Sequence, residues 1–308
     1  MQADLSEAAD RRGIAAGLAC YTFWGLLPLL FHAAARLGAG PFEIVAWRAI
    51  WSLPLAALFV FMFGRGAGLR ALAANPRNVR VLLLSSVLIA TNWTVYVWAV
   101  NNGHTLSASL GYYINPLLNM MAGAMLFGER IDKTGYTAIG LATVGVVVQG
   151  LALGEFPWVA LLLGASFCAY GVVRKQASAD AQTGLLVECV VLLIPAVAYV
   201  LWLEHAGTSI FGRHLAPSLV LVFCGPATVI PLAAFSFAAR RLPLTVLGFM
   251  QFIAPTLQFA VGLSAGEHMT PLRAVSFVFI WVGVVVYAIG ARQRVRSNRR
   301  PVAVRNVA

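Results

Sequence analysis

Apolar residues run through this chain in long blocks, and the polar residues collect at the breaks between them. Ten blocks reach, or nearly reach, the roughly 20 residues that a helix needs to cross a hydrocarbon core. They fall near 13–35, 44–63, 81–100, 106–127, 136–153, 157–173, 184–203, 217–239, 244–264 and 274–291. Gly, Pro and charge mark the breaks, as at Gly64-Arg65-Gly66, Gly128-Glu129-Arg130, Gly154-Glu155-Phe156-Pro157 and Arg240-Arg241-Leu242-Pro243. In lipid only a helix or a closed barrel satisfies its own backbone, and these runs are far too long for barrel strands. The pattern predicts an all-α integral membrane protein of ten transmembrane helices. The first run has a signal-peptide look, ending at Ala33-Ala34-Ala35. Its apolar core is too long for one, and Asp4, Glu7 and Asp10 dilute the basic start.

Composition agrees with the pattern. The hydrophobic set makes up 60% of the 308 residues and charged residues 11%, where a soluble domain carries about 25% charged. Disorder is excluded as well, since it needs low hydrophobicity. The net charge of +11 would point to nucleic acid in a soluble protein, but its placement points to a membrane. Of the 22 Lys and Arg, 18 fall on one side of the ten spans and only Arg36, Arg213 and Arg273 on the other, with Arg48 inside the second span. The positive-inside rule then puts both termini in the cytoplasm. The tail from 292 carries six arginines and reads as a contact with anionic lipid headgroups rather than with nucleic acid. Cys20, Cys168, Cys189 and Cys224 all lie within apolar runs and read as packing residues, not disulfides.

The chain repeats itself at half-length. Ala19-Cys20-Tyr21-Thr22-Phe23-Trp24-Gly25-Leu26-Leu27 aligns with Ala165-Ser166-Phe167-Cys168-Ala169-Tyr170-Gly171-Val172-Val173. Gly128-Glu129 and Val144-Gly145-Val146-Val147-Val148 recur 138 residues later as Gly266-Glu267 and Val282-Gly283-Val284-Val285-Val286. Pro116 and Asn119 match Pro255 and Gln258 at a shift of 139. With five spans in each half, the second copy enters from the opposite side, so the copies are inverted. The expected domains are a short N-terminal segment (1–12), repeats at 13–153 and 157–291, and the tail (292–308). Inverted repeats point to alternating access around a site near mid-membrane.

Polar side chains deep in a span are the informative ones, because each is costly unless paired or wetted. Tyr112, Asn115 and Asn119 share one face of the fourth span, and Gln251 and Gln258 share a face with Pro255 in the ninth. Pro116 and Pro255 free backbone carbonyls one turn earlier. Asn92, Trp93 and Tyr96 in the third span, with Tyr21 and Trp24 in the first, could hold a flat solute by stacking. These ten residues are the candidate substrate pathway; the competing reading of the amides is helix–helix glue, worth about 0.6–2 kcal/mol each. Arg48 and Glu188 are the intramembrane charges. A pair between them is disfavoured, because they sit near opposite faces of the membrane. Glu188 is expected to meet Arg174 or Lys175, and Arg48 to snorkel outward or meet a solute anion. All five histidines lie toward the outer face at spacings that match no metal site.

The chain resembles the RarD-type permeases of the EamA branch of the drug/metabolite transporter superfamily, often named for chloramphenicol. The resemblance rests on Tyr21-Thr22-Phe23-Trp24-Gly25-Leu26-Leu27-Pro28, Arg48-Ala49-Ile50-Trp51-Ser52, and Asn92-Trp93 through Trp98-Ala99-Val100-Asn101-Asn102-Gly103. It continues through Ala108-Ser109-Leu110-Gly111-Tyr112-Tyr113-Ile114-Asn115-Pro116 and Asn119, then Arg240-Arg241-Leu242-Pro243, Gln251 and Pro255-Thr256. It implies ten helices in two inverted repeats, in the bacterial inner membrane, moving small metabolites or drugs. Trp47 stands before Arg48 where the family leads one to expect His.

The expected function is a secondary transporter for a small-molecule solute, uncharged or zwitterionic and partly aromatic, with no cofactor. An enzyme would need a nucleophile with its base, or metal ligands, at one depth, and no such set is present. The alternative from another class is a membrane scaffold or receptor without solute flux. No feature of the sequence selects an oligomeric state.

Overall fold

The computed structural model describes residues 2–298 except 63, 65–68, 70–71, 73–74, 129–130, 155, 177–180, 240, 243–245 and 248–249. Among the described residues all regular structure is helical. The helices are α1 (Gln2–Arg36), α2 (Pro41–Met62), α3 (Pro76–Asn101), α4 (Thr105–Phe127), α5 (Lys133–Leu153) and α6 (Trp158–Gln176). They continue with α7 (Ala181–His205), α8 (Leu215–Phe223), α9 (Pro226–Ala239), α10 (Ile253–Ser264) and α11 (Pro271–Asn298). The sequence sets their ends locally. Asn75 accepts from the backbone N–H groups of Arg77 and Asn78 at the start of α3, with Pro76 in the first turn where a missing N–H costs nothing. Asp132 caps α5, which stops at Gly154 in the left-handed conformation.

Among the described residues, seven segments are long and apolar enough to cross a membrane: Arg11–Arg36, α2, α3, Lys133–Ala152, Gln182–His205, Leu215–Ala239 and Pro271–Gly290. The chain is an all-helical integral membrane protein. Three of the ten expected spans fall outside the seven. α6 and α10 are apolar but shorter. α4 has 23 residues, yet Tyr112, Tyr113, Asn115, Pro116 and Asn119 interrupt its apolar run.

The expected eighth span is broken into α8 and α9. Pro226 has no N–H to give, so the Val222 carbonyl is met by Gly225 instead and the helix turns there. The break seats the chain against α2: a Cβ on Gly225 would lie 2.3 Å from the Trp51 carbonyl carbon.

The chain divides into two compact units, residues 1–115 with 158–268 and residues 116–157 with 269–308. In the first, α1 packs on α9 and α10, α2 on α7, and α3 on α6. Phe31, Ile44, Val97, Val100, Leu163 and Leu221 form part of a buried cluster within it. Its turns collect by end. Gly38 lies beside Ile210, Glu43 accepts from Ile210 N and Ser209 Oγ, and Glu267 accepts from the amides of Thr105 and Leu106, all at one end. Gly13 lies against Arg241 and Leu242, and Arg174 lies over Gly184, at the other. The four cysteines are buried and free.

Two helix pairs have a common geometry. On α2, Ala46 and Ala49 cluster with Ala196 and Val200 of α7, while Ala56 and Val60 cluster with Leu185, Leu186 and Cys189. Numbers rise on one helix as they fall on the other, so the pair is antiparallel. Shifting by 140 exchanges the two groups. In the second unit, Gly145 of α5 meets Ile280 and the Ser276 carbonyl of α11, and Gly283 of α11 meets the Ala138 carbonyl and Ala142 amide of α5. A shift of 138 exchanges these contacts. Ser276 Oγ also donates to Gln149 Oε1 at 2.8 Å within this pair.

Close backbone approach at Gly225 yields a stability test. Gly225→Ala should cost about 1–3 kcal/mol, the usual penalty for overpacking against atoms that cannot swing away. Gly171, with open space where its Cβ would be, provides the control, and Gly171→Ala should leave the melting temperature of the detergent-solubilised protein unchanged or higher. Equal effects at the two glycines would contradict the packing argument.

Candidate functional site

The first unit gathers most of the polar and aromatic side chains expected to line a pathway. On α3, Asn92, Trp93 and Tyr96 are all buried. The Asn92 amide donates to the Leu163 carbonyl at 3.0 Å and Ser166 Oγ at 3.1 Å, which fixes its orientation. Its oxygen accepts from the Tyr112 hydroxyl at 3.0 Å. The Tyr112 ring meets Tyr96 edge-on at 5.4 Å, and Tyr96 meets Phe31 edge-on at 5.9 Å. α3, α4 and α6 thus hold one tyrosine–asparagine network, and α1 adds an aromatic ring to it.

A second group joins α1 to α10. Pro28 deprives the Trp24 carbonyl of its helical partner, and Gln258 Nε2 donates to that carbonyl at 3.2 Å. Gly25 lets the helices approach, since a Cβ there would come 2.6 Å from Leu257 Cβ. The Tyr21 and Trp24 rings pack edge-on at 5.8 Å and both touch Phe235. Tyr113 connects α4 to α10 through Thr256 Oγ1 at 2.8 Å.

Arg48 does not snorkel. It is 5% exposed, with Nε donating to Thr228 Oγ1 at 2.7 Å and the guanidinium 4.1 Å from the Trp93 ring centroid. The α8–α9 break explains this: Thr228 sits in the first turn of α9, donates its own proton to the Cys224 carbonyl, and so presents its oxygen to Arg48. Glu188 meets Arg174 Nε at 3.6 Å and accepts from Ser85 Oγ at 2.8 Å and Tyr170 OH at 3.2 Å. Arg48 and Glu188 are therefore held separately. Trp47 stacks on Phe211 at 3.8 Å.

Several buried polar atoms in this unit have no hydrogen-bond partner: Arg48 Nη1, the Tyr96 hydroxyl, Gln258 Oε1, and both amide atoms of Asn115. Leaving a buried donor or acceptor unmatched costs about 1–3 kcal/mol. Asn119 and Gln251 do not join these groups. Asn119 is exposed and belongs to the other unit; Gln251 is half-buried ahead of α10. The tail arginines fall among residues whose side chains, or whole positions, lie outside the described residues, as do Glu129 and the Lys175 side chain.

The model of the EamA-like transporter family matches residues 11–150. An uncharacterized transporter of Pseudomonas aeruginosa is 43% identical over 96% of this chain and 100% of its own length. Protein RarD of Streptomyces exfoliatus is 38% identical over 96% of this chain and 93% of its own. Protein RarD of Escherichia coli K12 is 38% identical over 91% and 95%. The chain belongs to the RarD-type EamA permeases. A solved crystal structure 21% identical aligns over 91% of this RarD-type chain and 98% of its own, with a TM-score of 0.60, and agrees in fold. This RarD-type chain is a membrane transporter, and a multi-pass bacterial membrane protein like its relatives.

Sequence reasoning missed four contributors in this RarD-type chain. Thr228 orients Arg48, and its signal was Pro226 two residues before it. Phe31 reads as ordinary core until Tyr96 is placed beside it. Glu43 lies at the very start of its span, so it reads as a loop charge. Glu267 stands in the repeated Gly-Glu pair, which marked the residue without revealing that it caps α4.

The proline–glutamine contact can be tested in a double-mutant cycle. Gln258→Leu alone should cost about 1 kcal/mol, within the range for hydrogen bonds between membrane helices. Combined with Pro28→Ala, which returns an N–H to the Trp24 carbonyl, it should cost nearly nothing. Additive changes in melting temperature would contradict the assignment.

Proposed function

We propose that the chain is a secondary transporter that moves a small, partly aromatic metabolite or drug by alternating access, driven by a gradient or running passively. The observation that carries this reading is the buried cluster of rings and unmatched polar atoms in the first unit. Its members come from both halves of the sequence: Tyr21, Trp24, Asn92, Trp93, Tyr96, Tyr112 and Asn115 from the first, Gln258 from the second. A solute that offers hydrogen bonds would relieve the unmatched atoms, while the rings would hold its flat face. Gln251, half-buried just ahead of α10 in the same unit, extends the proposed path.

We further propose that residues 13–153 and 157–291 are inverted five-helix repeats. The exchange of contacts under shifts of 140 in the α2–α7 pair and 138 in the α5–α11 pair supports this, because a two-fold axis in the membrane plane produces such pairs. The match of the EamA-like model to residues 11–150, one repeat's length, supports it too. The charge asymmetry supports cytoplasmic termini in the bacterial inner membrane and a basic tail on anionic lipid.

Uptake into proteoliposomes tests the reading. The purified protein should move at least one member of a panel of labelled amino acids, amphenicols and nucleosides. Asn115→Leu should lower that flux roughly tenfold, the equivalent of one lost contact of about 1.4 kcal/mol, with protein level and melting temperature maintained. Parallel loss of flux and stability would make Asn115 a packing residue, and no flux for any solute would favour a scaffold.

A further inference from the structure

Arg48 and Glu188 occupy matching places in the two halves, 140 residues apart on helices that pair antiparallel. Each meets a hydroxyl from a neighbouring helix: Arg48 donates to Thr228, and Glu188 accepts from Ser85. There the likeness ends. Glu188 has a cation, Arg174, and a tyrosine hydroxyl besides. Among the described residues no acidic side chain answers Arg48. Its guanidinium lies over the Trp93 ring, with Phe31 5.8 Å away, and Nη1 has no partner. A ring face attracts a cation but does not neutralise it. A desolvated charge lacking its counter-charge is the arrangement that proteins avoid unless a ligand completes it.

The neighbouring groups limit what that ligand can be. Tyr96 packs edge-on against Phe31, the ring beside Arg48, and Tyr112 packs against Tyr96; the Tyr96 hydroxyl, 3% exposed, has no hydrogen-bond partner. Arg174 is committed to Glu188, which among the described residues leaves Arg48 as the one cation beside these rings and therefore suits a single negative charge rather than a phosphate dianion. Phe31, Trp93, Tyr96 and Tyr112 supply ring faces and edges for an aromatic or flat apolar body.

We infer that Arg48 is the docking point for the carboxylate of a monoanionic or zwitterionic solute, with Thr228 holding the guanidinium in place and the surrounding rings receiving the solute's aromatic body. This rests on the transport reading above and narrows its solute class, setting aside a wholly uncharged solute. Nη1 and the Tyr96 hydroxyl donate to the carboxylate oxygens; Trp93 stays stacked beneath the guanidinium.

Binding to the purified full-length protein tests the assignment, read as ligand-dependent quenching of tryptophan fluorescence and as a melting shift. The probes are matched pairs that differ in charge: benzoate with benzamide, and L-phenylalanine with L-phenylalaninamide. Within at least one pair the carboxylate should bind ten times tighter than its amide. Arg48→Gln should erase that preference, Arg48→Lys should retain part of it, and Thr228→Val should weaken carboxylate binding several-fold while the charge remains. Circular dichroism melts of each variant verify folding, and Thr228→Val keeps the test sharp if Arg48→Gln unfolds. Carboxylates binding no tighter than amides, including no binding of either, overturn the proposal; so does a preference that survives in Arg48→Gln or is abolished by equimolar chloride. Flux in proteoliposomes separates the two readings. A carboxylate preference without flux retains the anion site and removes the transporter, whereas flux without the preference does the reverse.

Discussion

In a membrane interior a polar atom has no water to fall back on, so each one must find its partner within the chain or be left for something that arrives. This constraint sorts the buried polar side chains of the first unit into two sets. Glu43, Glu188, Glu267 and Asn92 have their partners, and each ties together segments distant in sequence. Arg48, Tyr96, Asn115 and Gln258 keep atoms without one. The first set holds the unit together. The second set gives it something to bind.

Glycine and proline place the second set. Pro28 opens a carbonyl that Gln258 uses, Gly25 brings α10 close enough to use it, and the Gly225-Pro226 break turns Thr228 toward Arg48. In a soluble helix such residues are mainly a cost. Here the carbonyl freed by Pro28 is taken up by a side chain from α10, which converts a local defect into a long-range tie.

Membrane class, helical architecture and family were legible because they depend on block length, charge placement and motifs that survive without tertiary contacts. The cluster was legible in part. Asn92, Tyr96 and Tyr112 share faces that spacing reveals, and they do meet. For Arg48 the sequence leaves two readings open, snorkelling outward or meeting a solute anion, since depth along a helix says nothing about what lies across from it, and burial removes the first. The hydroxyl and the rings that hold it come from residues 31, 93 and 228. Asn119 illustrates the converse: it lies on the same helix face as Asn115, but α4 passes between units at Pro116 and the asparagine emerges exposed. The eighth span looked continuous because hydropathy does not register a break made of Gly and Pro between apolar neighbours.

Whether the halves are upside-down copies is most directly read from which side of the membrane equivalent residues face. Arg130 and His268 are 138 residues apart, the shift that relates the repeated Gly-Glu pairs beside them. With the four native cysteines replaced by alanine, Arg130→Cys and His268→Cys should label from opposite sides of the cell membrane: His268→Cys with an impermeant maleimide added outside, Arg130→Cys only after permeabilisation. Labelling of both from the same side would contradict the inverted-repeat account.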